Sequence, residues 1–235
     1  MSGILRDKNL KQQISLYYDV YYPEKIDHNP LIIALHGYGS NKNAMMKILQ
    51  AINKTDYILV SLQGPYQHFL PSNQTPNPLK PGFGWITSFK SKDSIELHRR
   101  AIIQIINSLC KEGRINPELI FLLGYSQSVS LNYRFAFSHP DLVRGVIAIN
   151  GGTPSDLADK NKYRKINCRL LHISGRNDTI YPPKTVSKQI YLLKPLVRSL
   201  DNYTFDRGHE IPPEAFPIID QWIKSQIEKF TYEEL

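Results

Sequence analysis

A chain of 235 residues is long enough for one sizeable α/β domain burying about 70–75% of the surface its unfolded form exposes, so no disulfide or metal is needed to hold it. Hydrophobic residues at 41% and charged residues at 21% exclude a disordered or fibrous chain. The net charge of +8 raises nucleic acid or an anionic surface as a partner. The charge is scattered, however, and its densest patches, His98-Arg99-Arg100 and Lys160 to Lys165, lack interleaved aromatics, so a solvated basic surface is expected and no nucleic acid partner.

Cys110 and Cys168 form no CxxC or metal-ligand spacing and read as free thiols in a reducing compartment. Apolar runs such as Leu119–Leu123 fall far short of the roughly 20 residues of a membrane-crossing helix, and Arg6 and Asp7 interrupt any secretory core at the N-terminus. A cytoplasmic protein with no transmembrane segment is expected.

In chain order, Ile14, Leu16, Tyr18, Val20 and Tyr22 alternate ahead of Pro23, which predicts an edge strand with one buried face. Short apolar runs at Leu31–Leu35, Tyr57–Leu62, Leu119–Leu123, Val143–Ile149 and Arg169–Ile173 each lead into Gly, Ser or Pro, and predict buried strands of a mainly parallel sheet. A further strand is expected around Ser199–Phe205. From Asp93 to Lys111, Ile95, Ile102, Ile105, Ile106 and Leu109 gather on one helical face. A last helix, about Pro213 to Phe230, is marked by Phe216, Ile219, Ile223, Ile227 and Phe230, provided Pro217 lies in its first turn. Strands alternating with helices give one doubly wound α/β domain over residues 1–235, with helices on both faces of the sheet. Gln63 to Trp85, which holds Pro65, Pro71, Pro76, Pro78 and Pro81, and the polar stretch Gly151 to Asn167 read as loops at the carboxyl edge of the sheet, where ligands bind in open α/β folds.

The segment Gly124-Tyr125-Ser126-Gln127-Ser128 puts a serine between small residues where a strand meets a helix. This is the pattern of a nucleophile elbow, a strained turn that exposes the hydroxyl; alone it is a weak signal. A serine hydroxyl needs a base and a group to orient the base. Asp178 and His209 stand on later post-strand loops, and the order Ser126, Asp178, His209 is that of α/β-hydrolases. The bland readings are that Asp178 caps the helix beginning near Pro182 and that His209 is a surface histidine. Asp206, Asp156 and Glu210 compete for the acid's role, Asp206 most seriously because it lies close to His209. For the oxyanion, the backbone N–H of Gln127 supplies one donor and His36-Gly37-Tyr38-Gly39-Ser40-Asn41 the other, assigned to Tyr38 N–H. His36 reads as structural, and no Gly-Lys-Ser/Thr follows to make a phosphate loop.

These residues resemble the phospholipase/carboxylesterase family of α/β-hydrolases, which includes the acyl-protein thioesterases. The resemblance spans nearly the whole chain and rests on Leu-His-Gly-Tyr-Gly, Gly-Tyr-Ser-Gln, Gly-Arg-Asn-Asp followed by Pro-Pro, and Gly-His. It implies hydrolysis of small carboxylic ester or thioester substrates without a cofactor or metal. Two features depart from the family pattern. Ser128 stands where elbows of the family usually carry glycine, and Gly82-Phe83-Gly84-Trp85 matches the corresponding loop only loosely, with Phe83 and Trp85 expected either to line an acyl pocket or to sit in the core. A peptidase or acyltransferase using the same triad, and a non-catalytic binding module, are the alternative readings. A homodimer is left open.

Overall fold

The computed structural model describes residues 4, 7–10, 12–70 and 80–233, so Pro71, Pro76 and Pro78 of the proline-rich stretch lie outside the described residues. Its strands are β1 (Tyr18–Tyr21), β2 (Asn29–Leu35), β3 (Ile58–Leu62), β4 (Tyr66–Phe69), β5 (Pro81–Gly84), β6 (Ile115–Tyr125), β7 (Gly145–Ile149), β8 (Arg169–Gly175) and β9 (Ser199–Phe205). Among the described residues seven of them form one sheet in the order β1-β3-β2-β6-β7-β8-β9, and only β1 runs antiparallel to its neighbour. The runs predicted as buried strands are predominantly apolar because both faces of this sheet are covered.

Side chains alternate between two cores, as the pleat requires. Leu31, Ile33, Leu35, Val60, Leu122, Val146 and Leu170 face the core shared with α2 (Ser91–Lys111) and α3 (Val129–Ser138). Ile32, Ala34, Leu59, Phe121, Leu123, Ile147 and Leu171 face the core shared with α1 (Lys42–Ile52) and α5 (Phe216–Glu233). Helix α4 (Pro183–Leu193) connects β8 to β9. Its first residue is a proline, whose fixed φ suits that position. In α5, Pro217 falls in the first turn as expected.

Three features differ from the sequence reading. The helix α1 carried no earlier expectation; it starts at Asn41, whose side-chain oxygen accepts from the Ala44 N–H at 3.0 Å, and buries Met45, Leu49 and Ile52. The first strand pairs only over Tyr18–Tyr21, because its partner β3 is itself just five residues long. The stretch from Gln63 to Trp85 is not all loop: β4 and β5 pair antiparallel as a two-stranded ribbon. Pro81 is compatible with it because it opens its strand.

Candidate active site

The site is assembled at the carboxyl ends of four adjacent strands, β6, β7, β8 and β9. The strand β6 ends at Tyr125, held by β2 on one side (Leu35 opposite Gly124) and β7 on the other (Ile149 opposite Tyr125). The next residue, Ser126, has φ of +55°, a left-handed conformation that costs a side-chain-bearing residue about 1–3 kcal/mol. The chain then turns directly into a short 3₁₀ segment and α3. Close approach at this turn requires a glycine at 124, since a Cβ there would lie 2.9 Å from Asn132 Nδ2 and 3.1 Å from Val129 Cα.

Loops after β8 and β9 bring the other two expected triad residues to Ser126. His209 Nε2 lies 2.8 Å from Ser126 Oγ, and His209 Nδ1 lies 2.8 Å from Asp178 Oδ2. A carboxylate at Nδ1 fixes that nitrogen as the protonated one, leaving Nε2 to accept from the serine hydroxyl. Burial pushes the Asp178 carboxyl toward protonation, but the hydrogen bonds from His209 and from the Tyr181 and Ile180 N–H groups outweigh it and hold its pKa below the ordinary value. The contacts to Ile180 and Tyr181 close a local turn; α4 begins later, with Pro182 at its N-cap and no side-chain cap hydrogen bond, so the capping reading of Asp178 does not hold. The three competing acids are engaged elsewhere: Asp206 accepts from Asn177 Nδ2, Asp156 pairs with Arg134 and Lys162, and Glu210 faces Arg207.

The loop after β2 passes over the elbow. A Cβ on Gly37 would meet the Tyr125 ring at 2.8 Å and Ser126 Cβ at 3.3 Å. The N–H groups of Gly39 and Ser40 are used internally, donating to Phe83 O and Gly37 O. The N–H of Tyr38, one of the two expected oxyanion donors, has no such backbone partner among the described residues. The Tyr38 side chain is 64% exposed and stacks on His68, with ring centroids 4.5 Å apart. His36 is buried beneath the loop. Its Nε2 accepts from the Gly64 N–H and lies 3.0 Å from Gln63 Nε2, while its Nδ1 lies 2.7 Å from Gly37 O. Burial lowers its pKa to about 4, so it is a neutral structural group.

The two aromatics expected either at an acyl pocket or in the core differ in burial. Trp85 is 1% exposed, donates its indole N–H to His36 O at 2.8 Å and belongs to the core, the second of the two places its sequence position left open. The ring has no surface left for a substrate. Half-buried Phe83 joins the site through its backbone, donating to Ser40 O at 3.2 Å and accepting from Gly39 N–H at 2.8 Å, so that β5 braces the oxyanion loop.

Sequence reasoning missed four contributors. Asn150, in a left-handed conformation at the end of β7, accepts from the Gly175 N–H at 2.8 Å and donates to Gly208 O and Glu210 O, tying the Asp178 loop to the His209 loop. An asparagine between a strand and Gly-Gly is the one local signal for such a residue. Tyr125 and Tyr181 stack on the imidazole at centroid distances of 5.3 Å and 5.8 Å, and the Tyr125 phenol, pushed up to about 12 by burial and the nearby Asp178 and Glu210, donates to His209 O. The fourth is the Gln127 side chain, which accepts from Trp85 N–H at 2.8 Å and donates to Ile86 O at 3.0 Å. Among the described residues no three His, Cys, Asp or Glu side chains converge on a point that could hold a metal ion, and no helix is long and apolar enough to cross a membrane.

Residues 19–227 match the model of the Phospholipase/Carboxylesterase family. The chain belongs to that family. NocK of Nocardia uniformis subsp. tsuyamanensis, an esterase by provisional assignment, is 25% identical over 163 residues; the match covers 68% of this chain and 43% of NocK, so the chain spans under half the length of that curated relative. Among solved family folds, the Bacillus cereus carboxylesterase superposes with a TM-score of 0.68 at 14% identity, covering 90% of this chain and 94% of that one. The Zea mays acyl-protein thioesterase 2 gives a TM-score of 0.62 at 17% identity, over 89% and 98% of the two chains. At these identities both likenesses concern the α/β-hydrolase fold.

Proposed function

We propose that this protein is a serine hydrolase that cleaves small carboxylic ester or thioester substrates through an acyl-enzyme on Ser126. The observation that carries the reading is the unbroken path Ser126 Oγ, His209 Nε2, His209 Nδ1, Asp178 Oδ2, its two hydrogen-bonded links 2.8 Å each, on a strained elbow at the carboxyl edge of the sheet. His209 takes the proton as Ser126 Oγ attacks the carbonyl carbon, and the N–H groups of Tyr38 and Gln127 receive the developing oxyanion. Collapse expels the alcohol or thiol, which leaves with the proton from the imidazole. Water, deprotonated by the same imidazole, then attacks the acyl-enzyme and releases the carboxylic acid and Ser126. Asp178 keeps the imidazole in the required tautomer and balances its charge. No cofactor enters this scheme. The whole chain acts as one catalytic unit, which the sharing of two cores across one sheet supports. The two free cysteines support a cytoplasmic setting, and the scattered surface charge supports a small-molecule partner over nucleic acid.

The test uses p-nitrophenyl acyl esters, an acyl thioester and a fluorophosphonate. Wild type hydrolyses the esters or the thioester and forms one covalent adduct, which peptide mapping places on Ser126, whereas Ser126→Ala loses the adduct and all but a residual rate. Equal labelling and turnover in the two proteins would sink the reading.

A further inference from the structure

Resting on the triad reading above, we propose that the Ser128 hydroxyl is a positioning group, a staple that holds the nucleophile elbow against the strand carrying the oxyanion loop. Ser128 is completely buried. Its Oγ accepts from the Tyr125 N–H at 3.0 Å and donates to Leu35 O at 2.8 Å, with Tyr125 O also near at 3.1 Å. Leu35 is the last residue of β2 and lies opposite Gly124 in the parallel ladder. The hydroxyl therefore stands between two backbone groups at the point where the β2–β6 ladder ends.

Each of those groups leads directly to a proposed oxyanion donor. Tyr125 precedes Ser126 and Gln127; Leu35 precedes His36, Gly37 and Tyr38. The two N–H donors sit on segments 89 residues apart in sequence, and the β2–β6 ladder that aligns them stops just before both. Ser128 adds one further cross-link, from the first turn after the elbow back to β2. A glycine at this position has no atom with which to make it. Without the hydroxyl, Tyr125 N–H and Leu35 O lose their shared partner in a site closed to water, and the spacing of the Tyr38 and Gln127 donors loosens. Small misplacements of such groups cost rate, since the donors must meet the oxyanion in the transition state.

Three variants read this out: Ser128→Ala and Ser128→Gly remove the hydroxyl, and Ser128→Thr keeps it. Each is followed by kcat and KM on a p-nitrophenyl ester, by inhibition with phenylboronic acid as a tetrahedral adduct at Ser126, and by thermal melting. In Ala and Gly alike, kcat falls about ten- to hundredfold with KM within about twofold, and the boronate inhibition constant rises in step. A folded Thr variant recovers most of both. If Ala and Gly melt earlier but keep wild-type kcat and boronate affinity, Ser128 only fills space and the proposal is overturned. It is equally overturned if Gly, the smaller residue, matches wild type while Ala does not. Failure of the wild type itself to react with a fluorophosphonate would instead overturn the triad reading, so the two failures are distinguishable.

Discussion

His209 is held at both ring nitrogens and at its carbonyl: Nε2 faces Ser126, Nδ1 faces Asp178, and the carbonyl accepts from the Tyr125 phenol. Two rings stack on the imidazole as well. A side chain so constrained cannot rotate to seek another acid, which makes the choice between Asp178 and Asp206 testable one residue at a time. Asp178→Asn leaves the volume unchanged but no longer requires the proton on Nδ1, and kcat is expected to fall about 10³–10⁴-fold. Asp206→Asn disturbs only an exposed contact to Asn177 and should stay within about twofold of wild type, in keeping with surface substitutions elsewhere. Steady-state rates of the two variants on one ester decide the matter; a loss in Asp206→Asn matching that in Asp178→Asn would remove Asp178 from the mechanism.

At the scale of elements, the ribbon β4–β5 acts as a brace on the oxyanion loop, and its attachments include two beside the elbow. One is the pairing of Phe83 with Gly39 and Ser40; the other is the Gln127 side chain, which binds Trp85 and Ile86 just beyond β5. The backbone N–H of Gln127 and its side chain thus serve separate ends. Gln127→Ala keeps the first and deletes the second, leaving Trp85 N–H and Ile86 O without this partner at a cost of about 1–3 kcal/mol. Hydrogen exchange in peptides covering residues 80–90 should quicken about 5–30-fold, while kcat falls by less than about tenfold. Gln127→Glu retains the acceptor for Trp85 N–H and should protect that amide better than Ala. Unchanged exchange in Gln127→Ala would mean that the other attachments secure the ribbon without this side chain.

For the whole molecule, three histidines buried in different parts of the fold share one consequence. Burial lowers His36, His98 and His172 to about 4 each. In the unfolded chain they return to about 6.5, so between those values the unfolded state binds more protons than the folded one. Stability therefore rises with pH across this window and is lost as pH falls from about 6.5 toward 4, with a slope approaching about 1.4 kcal/mol per pH unit for each histidine. Urea midpoints at pH 8, 7, 5.5 and 4.5 should be nearly level between the first two and drop steeply after; a flat profile down to pH 4.5 would contradict neutral burial of these rings.

Much of this architecture was legible in the sequence. The parallel strands show as mainly apolar runs because both their faces are buried, and Ser126, Asp178 and His209 show because each is a distinctive residue at a strand-to-loop junction, in a telling order. What could not be read was decided over long separations. The β4–β5 pairing joins strands that look like a proline-rich loop, the burial of Trp85 depends on His36, and Ser128 meets Leu35 across 93 residues. The choice of Asp178 over Asp206 as the group touching the imidazole likewise turned on where two loops cross. Periodicity, propensity and motif act within a few residues of one another, so the sequence by itself determined the elements, their class and the candidate chemistry. Only the register of the sheet, which sets which strand ends lie side by side, decided which of those candidates touch.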